Sequence, residues 1–462
     1  MASIKMISGR ESYFPDEILN NKRENIGLLN ATVSVPGSKS VTNRALLLAA
    51  LSDSEVELDG VLFSDDSRHF LGSLISLGFE IEVDEENKRV KVKGNHGVIP
   101  NKNGTIDVGS AGTAARFLTA MLALSDGEYT INCSEQMEKR PMQTLFEVLE
   151  QMGAEFTYLN KQGYLPVRVR GNLRKKSDGV SNNYLKLDTS LGSDPIIKMD
   201  ISKSTQFLSA MLMVVPVMTY DVDIVITSEK KTGAYIKITM DMLKEFGVEV
   251  MFDGESYHIK GNQHYVMDNY VIEPDVSAAC YFFATAAITG GSVKVRNLTM
   301  NSMQGDMKFL EVMEKLGCEV TEEENGIRVT GPVNGVYAGI DIDMNNFSDQ
   351  ALTMSVVAAF ATSETRIRNI GHIRGQECDR MNAIVSNLKK CGIEAREEGD
   401  DIVIAPREAH GAVIDTFEDH RVAMSFTLMG LKTEGIVIDN PMCCRKTFEN
   451  FYDVFEGMFE NS

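Results

Sequence analysis

No stretch of this 462-residue chain is apolar for long enough to span a bilayer; the nearest, Phe207 to Thr219, is too short and contains Pro216. The opening residues, MASIKMISGRESYFPDEIL, lack a continuous apolar core, so no secretory signal is expected. Positive charge is outnumbered: 46 Lys and Arg stand against 66 Asp and Glu, for a formal net charge of −20. That balance argues against nucleic acid and against an anionic membrane surface as partners. Small anionic substrates stay open, because a local cluster of cations can override the global sign. Cysteine is sparse: there are seven, none with paired metal-ligand spacing, and five lie in helix-like or strand-like segments. Cys443 and Cys444 are adjacent, which is poor geometry for a disulfide. These features point to a reducing compartment and a cytoplasmic protein. The seven histidines form neither H-x-x-H nor H-E-x-x-H, so no metal is assigned. His69 and His420 read as helix-surface groups.

What is present is a repeat. An apolar helix with a small, polar or charged start recurs six times. The copies are SKSVTNRALLLAAL from Ser38, SAGTAARFLTAMLAL from Ser110, KSTQFLSAMLMVV from Lys203, DVSAACYFFATAAI from Asp275, SDQALTMSVVAAF from Ser348 and EDHRVAMSFTLMGL from Glu418. A second, amphipathic helix follows each. In five copies it ends in Gly-x-Glu, at Gly78, Gly153, Gly247, Gly317 and Gly392, where a left-handed cap is a sufficient explanation. The sixth, Thr447 to Met458, runs into the C-terminus. Alternating segments such as EVELDGV and RVKVKG read as strands. Each repeat therefore reads as strand, apolar helix, strand, amphipathic helix, then strand or hairpin. Asn172 to Asn183 reads as an insertion loop. The length exceeds one core, and six units divide naturally into two groups of three. The crossings fall near Pro36–Gly37 and Glu273–Pro274.

The unusual polar residues cluster at helix starts, where backbone N–H groups and the dipole favour anions. PGSKSVTNR puts Lys39, Ser40 and Arg44 within about one and a half turns of a helix start. Two cations there are unfavourable for the dipole and for each other, so an anionic ligand would account for them as well as a solvated cap does. The segment fails the Walker A pattern. Gly109 to Thr113 is a small-residue turn that a ligand can approach closely. Arg140, before Pro141, suits the first turn of a helix and can fork two oxygens of a carboxylate or phosphate. Ser204, Thr205 and Gln206 are uncharged donors. Glu377, Asp379 and Arg380 open one helix, Asp419, His420 and Arg421 another, and Arg445 and Lys446 the last. Asp349 is either an ordinary cap or a base among cations, with Glu377 as a second titratable group.

Together PGSKSVTNR, the AGT turn, Arg140–Pro141, STQFLSA, QGD at Gln304, SDQALT, ECDR, EDHR with AM, and RKTF occur in an order that resembles the 5-enolpyruvylshikimate-3-phosphate synthases. These are the 3-phosphoshikimate 1-carboxyvinyltransferases of the enolpyruvyl transferase family. The resemblance runs from about Val33 to near the C-terminus and leaves roughly the first thirty residues with no role beyond edge packing. It implies an α/β (α+β) fold of two inverse α/β-barrel domains, each of three βαβαββ repeats: residues 1–37 with 273–462, and residues 38–272. The active site would lie in the interdomain cleft of a monomer. The implied reaction moves the enolpyruvyl group of phosphoenolpyruvate to the 5-hydroxyl of shikimate 3-phosphate, by addition then elimination of phosphate. It is a step toward chorismate and the aromatic amino acids and needs no cofactor or metal.

The resemblance further implies that shikimate 3-phosphate meets Lys39, Ser40, Arg44, Ser204, Thr205, Gln206, Thr232, Tyr235, Asp349, His372 and Gln376. Phosphoenolpyruvate would meet Lys39, Gly112, Arg140, Gln206, Arg380, Arg421 and Lys446. Asp349 would take the hydroxyl proton, Glu377 would help protonate the methylene carbon, and Lys39 would assist. His372 and Gln376 stand where the family usually has Asn and Lys. Thr232-Gly233-Ala234-Tyr235 departs from Ser-x-Pro-Tyr, and Phe117 stands where some members have Pro and would reshape the helix behind Gly112. The family is often sensitive to glyphosate, for which the bare Gly112 leaves room. Two other readings are a UDP-N-acetylglucosamine 1-carboxyvinyltransferase, which would have Lys-Asn where Lys39-Ser40 stands and a catalytic Cys on a mobile loop, and a non-catalytic repeat scaffold.

Overall fold

Six four-stranded sheets, all built to one plan, make up the computed structural model, which describes residues 3–7, 10–20, 22–171 and 195–460. The stretch Asn172 to Asn183, read above as an insertion, lies outside the described residues. One sheet illustrates the plan. Strand Asn103–Asp107 runs parallel to Glu128–Asn132 across the helix Gly112–Ala123. A parallel pair needs such a crossover, because a tight turn cannot reverse the chain twice. After the helix Gln143–Gln151, the antiparallel strands Glu155–Tyr158 and Val167–Arg170 complete the sheet, with the last strand of the repeat inserted next to the second. Alternate residues of Glu128–Asn132 are buried, as a strand with one face on a core requires.

Contacts divide the chain into two compact units: residues 1–36 with 273–462, and residues 37–272. Each holds three sheets, and the sequence order is broken where the chain crosses. Strand Asn30–Val33 pairs with Ser292–Arg296, so the residues between them are an insertion into one repeat. Strand Asn269–Val271, from the far end of the inserted unit, pairs with Glu55–Asp59 and supplies the first repeat's missing strand. Gly37 is held against the Gly60 carbonyl, which a β-carbon would meet at 2.0 Å, so no larger residue fits that crossing.

The N-terminal residues do more than pack an edge. The sixth repeat has strands Val413–Ile414 and Val437–Asp439 but no hairpin of its own; Arg10–Tyr13 and Ile4–Ile7 supply it, with Arg10–Tyr13 in the interior of the sheet. Tyr13 is fully buried, its ring centroid 4.2 Å from that of Tyr452 on the last helix.

The apolar helices are apolar on every side because they are buried on every side. Every residue of Gly112–Ala123 is buried, as is nearly all of Lys39–Leu51 and Val276–Thr289. The amphipathic helices Asp65–Ser76, Gln143–Gln151, Ala234–Glu245, Lys308–Lys315 and Arg380–Lys390 bury one face each. Their five Gly-x-Glu glycines all have φ between 82 and 93°, the left-handed cap that only glycine enters without strain.

Candidate active site

In the unit 37–272, one buried guanidinium ties three helix starts together. Arg44 donates from Nε to Thr239 Oγ1 at 2.8 Å, from Nη1 to the Ser40 carbonyl at 2.8 Å, and from Nη2 to the Tyr235 carbonyl at 3.1 Å and Ser209 Oγ at 3.3 Å. Burial pushes its pKa down to about 10, so it is still charged at neutral pH. The ring of Phe117 lies under it, 5.2 Å from the guanidinium carbon. Phe117, expected to reshape the helix behind Gly112, instead fills the space beneath Arg44 in a regular helix. Ser40, Gln206 and Tyr235 thus start three helices cross-linked by Arg44, Ser209 and Thr239. Asn43 Nδ2 adds a fourth, donating to Thr113 Oγ1 at 2.5 Å beside the small-residue turn.

Lys39 opens its helix 3.5 Å from Asp66 Oδ2, in the first turn of Asp65–Ser76. The other oxygen of Asp66 is buried with no hydrogen-bond partner among the described residues. Arg140 lies three residues before the first residue of the helix Gln143–Gln151 rather than in its first turn, with its guanidinium over Gly112. A β-carbon at position 112 would come within 2.8 Å of Arg140 Nη1 and of Arg116 Nη1. Ser204 Oγ accepts from the Gln206 amide at 3.3 Å, and Gln206 Oε1 is buried without a hydrogen-bond partner among the described residues. Thr232 precedes the helix Ala234–Glu245, which Tyr235 opens with it.

In the other unit the centre is Arg380, first residue of the helix Arg380–Lys390 and 1% exposed. It donates to Asp349 Oδ1 at 2.8 Å, Glu377 Oε2 at 2.9 Å and Asp419 Oδ2 at 2.8 Å, and also to Gln376 Oε1. Burial disfavours its charge, but Asp419, Glu377 and Asp349 outweigh that and raise its pKa. Arg421 Nη2 reaches the second Asp349 oxygen at 3.1 Å, and Lys446 Nζ lies 3.6 Å from Glu377 Oε1. Arg380, Arg421 and Lys446 are therefore each matched by a carboxylate rather than facing another cation. Asp349 does not stand at an N-cap position: it sits in the 3-10 turn Asn345–Gln350, and Gln350 stands at the cap of the helix Ala351–Ala359. The caps are Asp379 and Asp419, which accept from the Asn382 and Arg421 amides and offset the cost of a cation at a helix start.

The two departures near Arg380 both find partners. His372 Nε2 is 2.8 Å from Ser348 Oγ, and Gln376 packs its amide oxygen on Arg380. Arg445 and Lys446 fall in the 3-10 turn Pro441–Lys446, short of the final helix Phe451–Glu460; Arg445 is exposed and Lys446 buried. His420, expected on a helix surface, is 1% exposed. His69 is half-buried, its Nδ1 3.1 Å from the Asp107 carbonyl in a cavity of about 380 Å³ that holds none of the candidate residues.

Sequence reasoning missed Asp66, Arg116 and Asp306. Arg116 carried a signal, a cation in an otherwise apolar helix; it is 3% exposed, donates to the Gly112 carbonyl at 3.1 Å and lies over the Phe207 ring. No cysteine is poised as a nucleophile. Cys133 follows the strand Glu128–Asn132, and burial, then the Glu138 and Asp107 carboxylates, push its thiol up to about 12. Among the described residues no helix is long and apolar enough to cross a membrane.

Comparison with known proteins bears on this constellation. A family model described as EPSP synthase (3-phosphoshikimate 1-carboxyvinyltransferase) matches residues 24–455. A 3-phosphoshikimate 1-carboxyvinyltransferase from Trichormus variabilis is 40% identical over 431 residues, 93% of this chain and 96% of the relative. One from Yersinia pestis is 39% identical over 435 residues, with 93% and 96% covered. The solved EPSP synthase of Acinetobacter baumannii matches with a TM-score of 0.75 at 23% identity, over 93% of this chain and 96% of that one, a likeness of fold. The chain belongs to the EPSP synthase (3-phosphoshikimate 1-carboxyvinyltransferase) family.

Proposed function

We propose that this chain transfers the enolpyruvyl group of phosphoenolpyruvate to the 5-hydroxyl of shikimate 3-phosphate and releases phosphate. The observation that carries the reading is the Arg380 cluster: two candidate acid–base carboxylates, Asp349 and Glu377, held on one buried arginine beside Arg421 and Lys446. Both substrates carry a phosphate and a carboxylate, so cations must gather them and carboxylates must move the protons.

Asp349 takes the proton of the attacking 5-hydroxyl as its oxygen bonds to the central carbon of phosphoenolpyruvate. Glu377, with Lys446 3.6 Å away, helps deliver a proton to the methylene carbon. The adduct is a tetrahedral intermediate with a methyl group. Loss of a proton from that methyl and departure of phosphate restore the double bond. Gly112, Arg140, Arg380, Arg421 and Lys446 serve phosphoenolpyruvate. Lys39, Ser40, Arg44, Ser204, Thr205, Gln206, Thr232, Tyr235, His372 and Gln376 hold shikimate 3-phosphate. Arg44 serves largely by fixing Ser40 and Tyr235, since four of its five N–H donors go to their carbonyls and to two hydroxyls. We read the protein as a cytoplasmic monomer acting on these two small anions without a cofactor.

The test is phosphate release with both substrates, with each alone, and with UDP-N-acetylglucosamine replacing shikimate 3-phosphate. Release that requires both named substrates supports the reading. Release with the nucleotide sugar, or with phosphoenolpyruvate alone, overturns it.

A further inference from the structure

The QGD motif has no part in the reaction as drawn above, yet its aspartate is 8% exposed and stands directly behind the Asp349–Arg421 pair. Asp306 lies in the short turn Gly305–Met307. Its Oδ2 accepts from Ser277 Oγ, and from Gln350 Nε2 at 2.8 Å. Each of these struts leads to the pair. Ser277 Oγ accepts from Arg421 Nη2 at 3.3 Å, the same nitrogen that donates to Asp349 Oδ2 at 3.1 Å. Gln350 follows Asp349 in the chain, is fully buried, and is held at its other end by Thr353 Oγ1 at 3.1 Å. One carboxylate therefore braces both Asp349 and Arg421 through two neutral side chains.

We propose that Asp306 is a positioning residue for the reaction: a second carboxylate behind Asp349 that fixes Asp349 and Arg421 in place and presents a negative charge to them. The proposal rests on Asp349 being the base. The groups facing Asp306 are Asp349 and Gln350 from the turn Asn345–Gln350, Ser277 and Cys280 from the helix Val276–Thr289, and Arg421 from the helix His420–Thr427. Burial and then the Asp349 charge push its pKa up to about 6, against the pull of Arg421, Ser277 and Gln350. Two carboxylates that feel each other titrate as a pair, and removing one charge lets the other ionise at lower pH.

The experiment compares wild type, Asp306→Asn and Ser277→Ala in phosphate release from phosphoenolpyruvate and shikimate 3-phosphate, from about pH 5 to 8. Asp306→Asn should lower kcat by about tenfold or more, leave both KM values within about threefold, and move the acid limb of the kcat profile to lower pH. Ser277→Ala keeps the carboxylate, so kcat should fall several-fold with the limb unmoved. An Asp306→Asn enzyme with wild-type kcat, with a loss confined to KM, or with an unmoved acid limb overturns the proposal. Where Asp306→Asn does not fold, a Ser277→Ala enzyme with wild-type kcat overturns it and one with reduced kcat supports it. A wild type that releases no phosphate from these substrates refutes the functional reading itself, and this proposal with it.

Discussion

Asp349 and Arg380 meet at 2.8 Å, the guanidinium 1% and the carboxylate 14% exposed, so the candidate base is the counter-ion of a buried arginine rather than the cap of a helix. The same guanidinium carries Glu377 and Asp419. It therefore orients two candidate catalytic carboxylates at once.

Arg380→Ala should cost about 3–5 kcal/mol of stability, because it strands carboxylates that cannot return to water. Arg380→Lys keeps the charge but lacks the fork, so it should lose less stability and still lose activity. Urea unfolding of both variants is the measurement. A wild-type midpoint for Arg380→Ala would show that the cluster does not support the fold.

Asp349→Asn preserves the shape and an acceptor oxygen while removing the base. The turnover rate should fall by about a hundred- to ten-thousandfold, with little change in shikimate 3-phosphate binding. Titration calorimetry beside steady-state kinetics separates the two. A variant that binds more weakly but turns over normally would pass the role of base to Glu377.

Lys39→Ala and Arg140→Ala each remove a charge-assisted contact to an anion, and kcat/KM should fall by about ten- to a hundredfold. Lys39→Ala also removes the cation 3.5 Å from the buried Asp66, so it should lower the melting temperature. Adding Asp66→Asn should restore the melting temperature without restoring activity. Recovery of activity in the double variant would make Lys39 only a partner for Asp66.

The repeat and its cations were legible for a simple reason. Lys39 and Arg44 stand within about one and a half turns of a helix start, where the dipole disfavours cations, and such residues need a partner. The Gly-x-Glu stops were legible because a left-handed cap is a local property. What stayed hidden is non-local. Arg10–Tyr13 pairs with Val437–Asp439 at the other end of the chain, which no periodicity records. The counter-charges were hidden differently: Asp66 and Asp419 stand at helix starts, where an acidic residue already has an adequate explanation as a cap. Their second task, facing Lys39 and Arg380, depends on how helices pack, as does the burial of His420.

At Gly112 the structure changes what a methyl group would do. The sequence alone suggests only that the bare Gly112 leaves room for glyphosate. A β-carbon there comes within 2.8 Å of Arg140 Nη1, so Arg140, proposed above for phosphoenolpyruvate, must shift. Gly112→Ala should raise the KM for phosphoenolpyruvate, by up to about tenfold, as well as the inhibition constant for glyphosate. An unchanged KM would show that Arg140 does not work from its place above Gly112.

The pH dependence of stability tests whether Asp306 holds its proton. In the folded chain its pKa rises to about 6 from an ordinary 3.8, first through burial and then through Asp349. Below the unfolded value both states are protonated and the full contribution is present. Between about pH 4 and 6 the unfolded chain has released this proton and the folded chain has not, so stability falls as pH rises, by about 1.4 kcal/mol per unit. Above about pH 6 the loss is complete, at about 3 kcal/mol. Asp306→Asn removes this slope. Its unfolding free energy relative to wild type should therefore climb between pH 4.5 and 6.5, by an amount on the order of that loss. A difference independent of pH would mean that the carboxyl is ionised throughout, and that its like-charged neighbour and its burial are outweighed by Arg421, Ser277 and Gln350.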